Sequence, residues 1–127
     1  MTISSPEKNA KVVESFINAW SRLDADELVA YFAEDGIYHN IPTEPVQGRE
    51  ALKAFIKNFI SPWTKTQWDI ISIVAEGNRV AVERLDRTVA AEKQVDLPCF
   101  GMFELEDGKI KVWRDYFDLN TYIKGMS

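Results

Sequence analysis

The stretch RVAVERLDRTVA, residues 79–90, decides how the chain is read. It alternates with a period of two, as a strand does, so Val80, Val82, Arg84, Asp86 and Thr88 share one face. Valines and a threonine make that face an interior lining, yet it also carries an arginine and an aspartate. Charges that point into an apolar interior are costly unless paired and hydrogen-bonded. A second pattern, Trp113-Arg114-Asp115-Tyr116-Phe117-Asp118, supplies a partner, because on a strand Trp113, Asp115 and Phe117 point the same way. Two carboxylates and one guanidinium can satisfy each other there, and the trio suggests acid–base chemistry inside an apolar pocket.

Around these patterns the second half of the chain reads as strands. Thr66 to Ala75 is rich in β-branched residues, and Glu76-Gly77-Asn78 supplies a turn into the strand 79–90. A long strand follows from Lys93 to Glu106, with Pro98 inside it marking a bulge or an edge. Asp107-Gly108 predicts a hairpin into a last strand, Lys109 to Phe117, and a helical turn from Leu119 to Lys124 closes the chain. The first half has helical spacing instead. Ser5 caps a helix with Pro6 at its first position, and Val12, Val13, Phe16, Ile17, Trp20 and Leu23 form its apolar stripe. Asp24 and Glu27 resemble a capping box for a short helix through Leu28, Val29 and Phe32. A third helix is predicted from Gly48 to Ile60, with Ala51, Leu52, Phe55, Ile56 and Phe59 inward and Ser61-Pro62 ending it. Helices first and long antiparallel strands after them give an α+β fold.

Composition narrows the function. At 127 residues the chain is expected to be one domain that buries about two thirds of its unfolded surface. A net charge of −5, with no local cluster of lysine and arginine, argues against nucleic-acid binding. The lone cysteine, Cys99, and the lone histidine, His39, make a His/Cys metal site implausible, and no loop signature for a hard cation is present. An unpaired cysteine, no hydrophobic signal region in Met1 to Ala10 and no apolar run of spanning length predict a cytoplasmic protein without membrane contact.

Between the second and third helices lies Tyr38-His39-Asn40-Ile41-Pro42. On a short strand Tyr38 and Asn40 share a face and offer a phenol and an amide, uncharged groups suited to orienting a water molecule. The Tyr-x-Asn, the Arg-x-Asp and the Trp-Arg-Asp-Tyr-Phe, in this order and at these spacings, resemble the signatures of limonene-1,2-epoxide hydrolases over nearly the whole chain. The resemblance implies the cone fold shared with nuclear transport factor 2, steroid isomerases and SnoaL-like polyketide cyclases. In it N-terminal helices pack in the concave side of a strongly curved mixed sheet, here as a single domain over residues 1–127. It also implies a homodimer, no cofactor, and direct attack of water on an epoxide to give a vicinal diol. By motif position Asp115 is the implied general base, Tyr38 and Asn40 hold the water, Asp86 is the general acid and Arg84 bridges the carboxylates.

An apolar epoxide, terpene or cycloalkene, is the expected substrate, because the acid must stay protonated in its pocket. Leu97, Cys99, Phe117, Phe59 and Trp63 are the expected lining, whereas His39 alternates away from the site. The short stretch before the first helix is expected to leave little chain to cover the pocket. Other readings stay open on the same fold. Alone, Arg84 with Asp86 and Asp115 is a structural ion pair. A ketosteroid-isomerase-like or polyketide-cyclase-like enzyme also places a carboxylate in the cone. A non-catalytic small-molecule-binding domain would bind an epoxide or diol without turnover.

Overall fold

The computed structural model describes residues 5–127. The reading of residues 1–10 as free of a signal region, and of the chain before the first helix as short, therefore lies partly outside the described residues. Helix α1 (Pro6–Ala19) begins where Ser5 accepts a hydrogen bond from the Lys8 N–H, and it continues as a 3-10 turn through Trp20–Arg22. Val13, Phe16, Ile17 and Trp20 bury one stripe, and Asn9 donates to the Gly77 carbonyl at 3.1 Å, pinning the helix to the β-turn beneath it. Helix α2 (Ala25–Val29) is capped by Asp24, but Glu27 does not complete a capping box. It pairs with Arg22 at 2.7 Å instead, an exposed guanidinium being a stronger partner than a backbone N–H.

Helix α2 ends at Val29, three residues short of Phe32, and Phe32 opens β1 (Phe32–Asn40). The tripeptide around Tyr38 thus closes a nine-residue strand. Strand β2 (Val46–Gln47) leads into α3 (Arg49–Ile60), which buries Leu52, Ile56 and Ile60 while Ala51 is exposed, against expectation. A face set by those three residues leaves Ala51 on the solvent side of the helix. Strands β3 (Lys65–Glu76), β4 (Arg79–Ala90), β5 (Lys93–Glu106) and β6 (Lys109–Tyr116) follow, then α4 (Leu119–Met126). Phe117 lies just past β6.

The strands form one open six-stranded sheet in the order β2-β1-β6-β5-β4-β3. All pairings are antiparallel except β1 with β6. The sheet curves around the helices and does not close into a barrel. Pro98 sits in register opposite Leu85 without a bulge, beyond the point where β6 has ended, so it occupies a local edge where its missing N–H is tolerated. Bulges lie elsewhere. Between Ile70 and Ser72, β3 advances two residues against one of β4, and near Lys111 β6 does the same against β5. Each bends its strand and switches the face presented beyond it. An aromatic core fills the cone, with Trp20 stacked on Trp68 at 4.3 Å and Trp113 stacked on Tyr38 at 4.1 Å. Among the described residues no helix is long and apolar enough to cross a membrane.

Candidate active site

The buried charged residues of β4 and β6, Arg84, Asp86 and Asp115, meet inside the curve of the sheet. Arg84 and Asp86 are successive inward positions of β4, so the guanidinium lies back along the strand toward its own aspartate. Its Nε donates to Asp86 Oδ1 at 3.0 Å and its Nη2 to Asp86 Oδ2 at 2.8 Å. The other side of the fork serves Asp115: Nη1 to Oδ1 at 2.7 Å and Nη2 to Oδ2 at 2.8 Å. All four carboxylate oxygens thus accept from one arginine whose side chain is fully buried. Trp68 covers the guanidinium, its ring centroid 4.6 Å from Arg84 Cζ, so the cation is desolvated on one face by an aromatic ring.

With both carboxylates ionised the trio carries one net negative charge inside an apolar wall; one added proton makes it neutral. Burial pushes the Asp86 carboxyl above its ordinary value, against the pull of Arg84 and with help from the Asp115 charge. The proton is therefore held on the Asp86 side at higher pH than a free carboxyl would hold it. Burial also raises the Tyr38 phenol well above its ordinary value, again aided by Asp115, so its hydroxyl remains a hydrogen-bond donor. Asn40 stands beside Asp115 in the β1–β6 register, and the Ile41 N–H donates to the Asp115 carbonyl at 2.9 Å, fixing the two strands together there. The Asn40 Oδ1 is buried without a protein partner.

These groups border a cavity of about 240 Å³. Tyr38, Asn40, Asp86 and Asp115 line it, as do Leu97, Cys99, Phe117, Phe59 and Trp63. Arg84 lies behind the carboxylates rather than at the cavity surface. Cys99 faces Asp86 and Asp115, with the polar atoms of the three within 4.8 Å of one another. Burial pushes the Cys99 thiol far up, so it stays protonated and unreactive. His39 points away, bonding the Thr43 carbonyl through Nε2 at 2.9 Å. Arg114 pairs with Glu104 and Asp118 caps α4, both away from the trio.

Sequence reasoning missed several positions. Thr43, Phe55, Trp68, Thr88, Val95, Leu119 and Tyr122 also line the cavity. Phe55 was within reach, one turn before Phe59 on α3, and so were Val95 and Thr88, two residues from Leu97 and Asp86 on their strands. Gly101 shares the face of Leu97 and Cys99 by alternation, but how closely it packs on the ion trio was not read from the sequence. A Cβ built there would lie 2.9 Å from Arg84 Nη1, 2.9 Å from Trp113 Nε1 and 3.0 Å from Asp115 Oδ1. The ion trio needs the space that any side chain at 101 would take. A glycine within a strand is itself a signal of close approach.

Fold and site together define a small cone-shaped α+β protein with a buried carboxylate–arginine–carboxylate bridge at an apolar cavity. Residues 7–127 match the family model of the limonene-1,2-epoxide hydrolase catalytic domain, and the chain belongs to that family. It is 30% identical to epoxide hydrolase EphG of Mycobacterium tuberculosis, over 99% of this chain and 87% of that protein. The solved structure of an LEH-like epoxide hydrolase from M. tuberculosis superposes with a TM-score of 0.82 at 29% identity, covering 94% of this chain and 90% of the other. A candidate polyketide cyclase from Xanthomonas campestris shares the fold, with a TM-score of 0.87, 24% identity and coverage of 98% and 100%.

Proposed function

We propose that the protein opens an apolar, single-ring epoxide by direct attack of water, producing a vicinal diol without a covalent enzyme intermediate. The observation that carries this is the buried bridge itself: one guanidinium holding two carboxylates at the wall of an apolar cavity, beside an uncharged phenol and amide. A water molecule has two protons and two lone pairs. Asn40 Oδ1 and Asp115 accept its protons, Tyr38 donates to one lone pair, and the second lone pair attacks the epoxide carbon. As the carbon–oxygen bond breaks, Asp86 delivers its proton to the leaving oxygen while Asp115 takes one from the water. Arg84 offsets the remaining charge throughout, so the proton moves within a site of constant charge. Each proton transfer is worth about 10²–10⁴ in rate. No step calls for a cofactor.

A cavity of about 240 Å³ falls below the roughly 300–1,000 Å³ of drug-sized ligand sites, which favours a monocyclic terpene or cycloalkene epoxide over a polycyclic one. A second copy of the chain is the proposed partner, packing on the outer face of β5 and β6, where Phe100 and Tyr116 are cross-strand neighbours, 43% and 45% exposed. The cytoplasm is the proposed compartment.

The test is incubation with limonene oxide and cyclohexene oxide in ¹⁸O-water under single-turnover conditions. Diol labelled in the first turnover is expected, with turnover nearly abolished in Asp115→Asn and in Asp86→Asn. Unlabelled first-turnover diol would mean that a carboxylate oxygen had attacked; near wild-type rates in either variant would remove that residue from its role.

A further inference from the structure

Beyond the trio and the Tyr38–Asn40 pair, a connected group of hydroxyls reaches the cavity wall. Thr66 on β3 and Thr88 on β4 are cross-strand partners, both buried, with their Oγ1 atoms 2.7 Å apart. Trp68 Nε1 donates to Thr66 Oγ1 at 3.0 Å, and Thr66 Oγ1 donates to the Arg87 carbonyl at 3.2 Å. A threonine hydroxyl has one proton, so Thr66 can make both contacts with oxygen only if Thr88 is the donor to it. Thr88 then has its proton engaged and its free lone pairs left over, and Thr88 lines the cavity. What it offers a ligand is an acceptor, held in place by a chain of buried hydrogen bonds that ends on the Arg87 carbonyl.

We propose that Thr88 is a specificity-determining residue, and that the otherwise apolar substrate carries a single hydroxyl group in addition to its epoxide. A carbonyl or ether would need a donor, which Thr88 can supply only by withdrawing its proton from Thr66. A hydroxyl is accommodated with the existing network unchanged. Thr88 and Asp86 are two residues apart on one face of β4, about 7 Å along the strand. A ligand bonded to both therefore has its epoxide and hydroxyl oxygens roughly 5–7 Å apart, the span of a six-membered ring bearing the two groups on opposite sides. Apart from Tyr38, Asn40, Thr43, Cys99 and the two aspartates the wall is aromatic and aliphatic, so an unmatched acceptor at Thr88 is a penalty to a hydrocarbon and an anchor for an alcohol.

This inference rests on the epoxide-hydrolase reading, and the experiment separates the two. The probes are 4-(hydroxymethyl)cyclohexene oxide and 4-ethylcyclohexene oxide, equal in heavy atoms and differing by a hydroxyl for a methyl. Their kcat/KM ratio is measured for wild type, Thr88→Val and Thr88→Ser. Binding of the same pair to Asp115→Asn, with and without Thr88→Val, is followed by tryptophan fluorescence, since Trp63 and Trp68 line the cavity. The expected result is a preference for the hydroxylated probe that falls by about fivefold to tenfold in Thr88→Val and survives in Thr88→Ser. Turnover of both probes with a ratio that Thr88→Val does not change overturns this inference and leaves the hydrolase reading standing. No turnover, but a binding preference abolished by Thr88→Val, overturns the hydrolase reading and supports the hydroxyl anchor. Binding without preference and without turnover overturns both.

Discussion

At the scale of single residues, Gly101 and Asp86 make the sharpest demands. A methyl group at 101 would press on Arg84, Trp113 and Asp115 at once, and none of these can retreat. Arg84 is held by its hydrogen bonds to both carboxylates, and Trp113 is stacked between Tyr38 and Phe103. Gly101→Ala is therefore expected to cost about 1–3 kcal/mol of stability, as overpacking does, and to lower kcat more than it raises KM. Denaturant unfolding and steady-state kinetics check it; an alanine variant with wild-type kcat would show that the bridge does not need this space. Asp86 gives a pH prediction. Its carboxyl holds a proton in the folded state above the range where the unfolded chain releases it. Its contribution to stability is thus full below the unfolded value of about 3.9 and is lost as pH rises through the raised folded value. Asp86→Asn does not titrate, so its melting temperature relative to wild type should climb as pH rises above about 4. Parallel melting curves across that range would contradict the raised value. Turnover should fall as pH rises through the raised Asp86 value, because Asp86 then has no proton to deliver to the leaving oxygen.

At the scale of elements, α4 acts as a wall of the cavity. Asp118 caps it by accepting from the Thr121 N–H and hydroxyl. Tyr122 on its inner side accepts a hydrogen bond from Trp63 Nε1 at 3.0 Å. Its last turn seats Gly125 against β5, where a Cβ would come within 2.1 Å of Val95 Cγ2. Such a contact cannot be absorbed without moving the helix. Gly125→Ala is expected to shift α4 outward, break the Trp63–Tyr122 bond and raise KM severalfold with kcat little changed, because the helix supplies walls and not protons. Kinetics on two epoxides of different width give the check, the wider one losing less. An equal fall in kcat would mean that α4 also positions the reacting groups.

At the scale of the whole molecule, the helices occupy the concave side of the sheet and leave its outer face to solvent. Phe100 and Tyr116 are neighbours on that face and both are exposed. A homodimer built on this face should become monomeric in Phe100→Glu with an unchanged circular-dichroism spectrum, as read by sedimentation. A monomeric wild type would end that assignment.

Much of this architecture was legible beforehand because it depends on local periodicity. The alternation of 79–90 put Arg84 and Asp86 on one inward face, and helical spacing identified the buried stripes of α1 and α3. Residues near each other on one element, such as Tyr38 with Asn40, were likewise readable as neighbours. What the sequence alone determined is which side chains travel together along a strand or a helix. Which strand faces confront one another was decided by tertiary structure. Continued without interruption from its turn at Gly77, β3 would set Trp68 opposite Arg87 and on the outer face; the bulge between Ile70 and Ser72 sets it opposite Asp86, over the guanidinium, and brings Thr66 to Thr88. The bulge near Lys111 likewise sets Asp115 opposite Gly101 instead of Phe100. A strand has a side-chain period of two, so one extra residue exchanges its faces, and nothing in the local pattern reports where that residue is taken up.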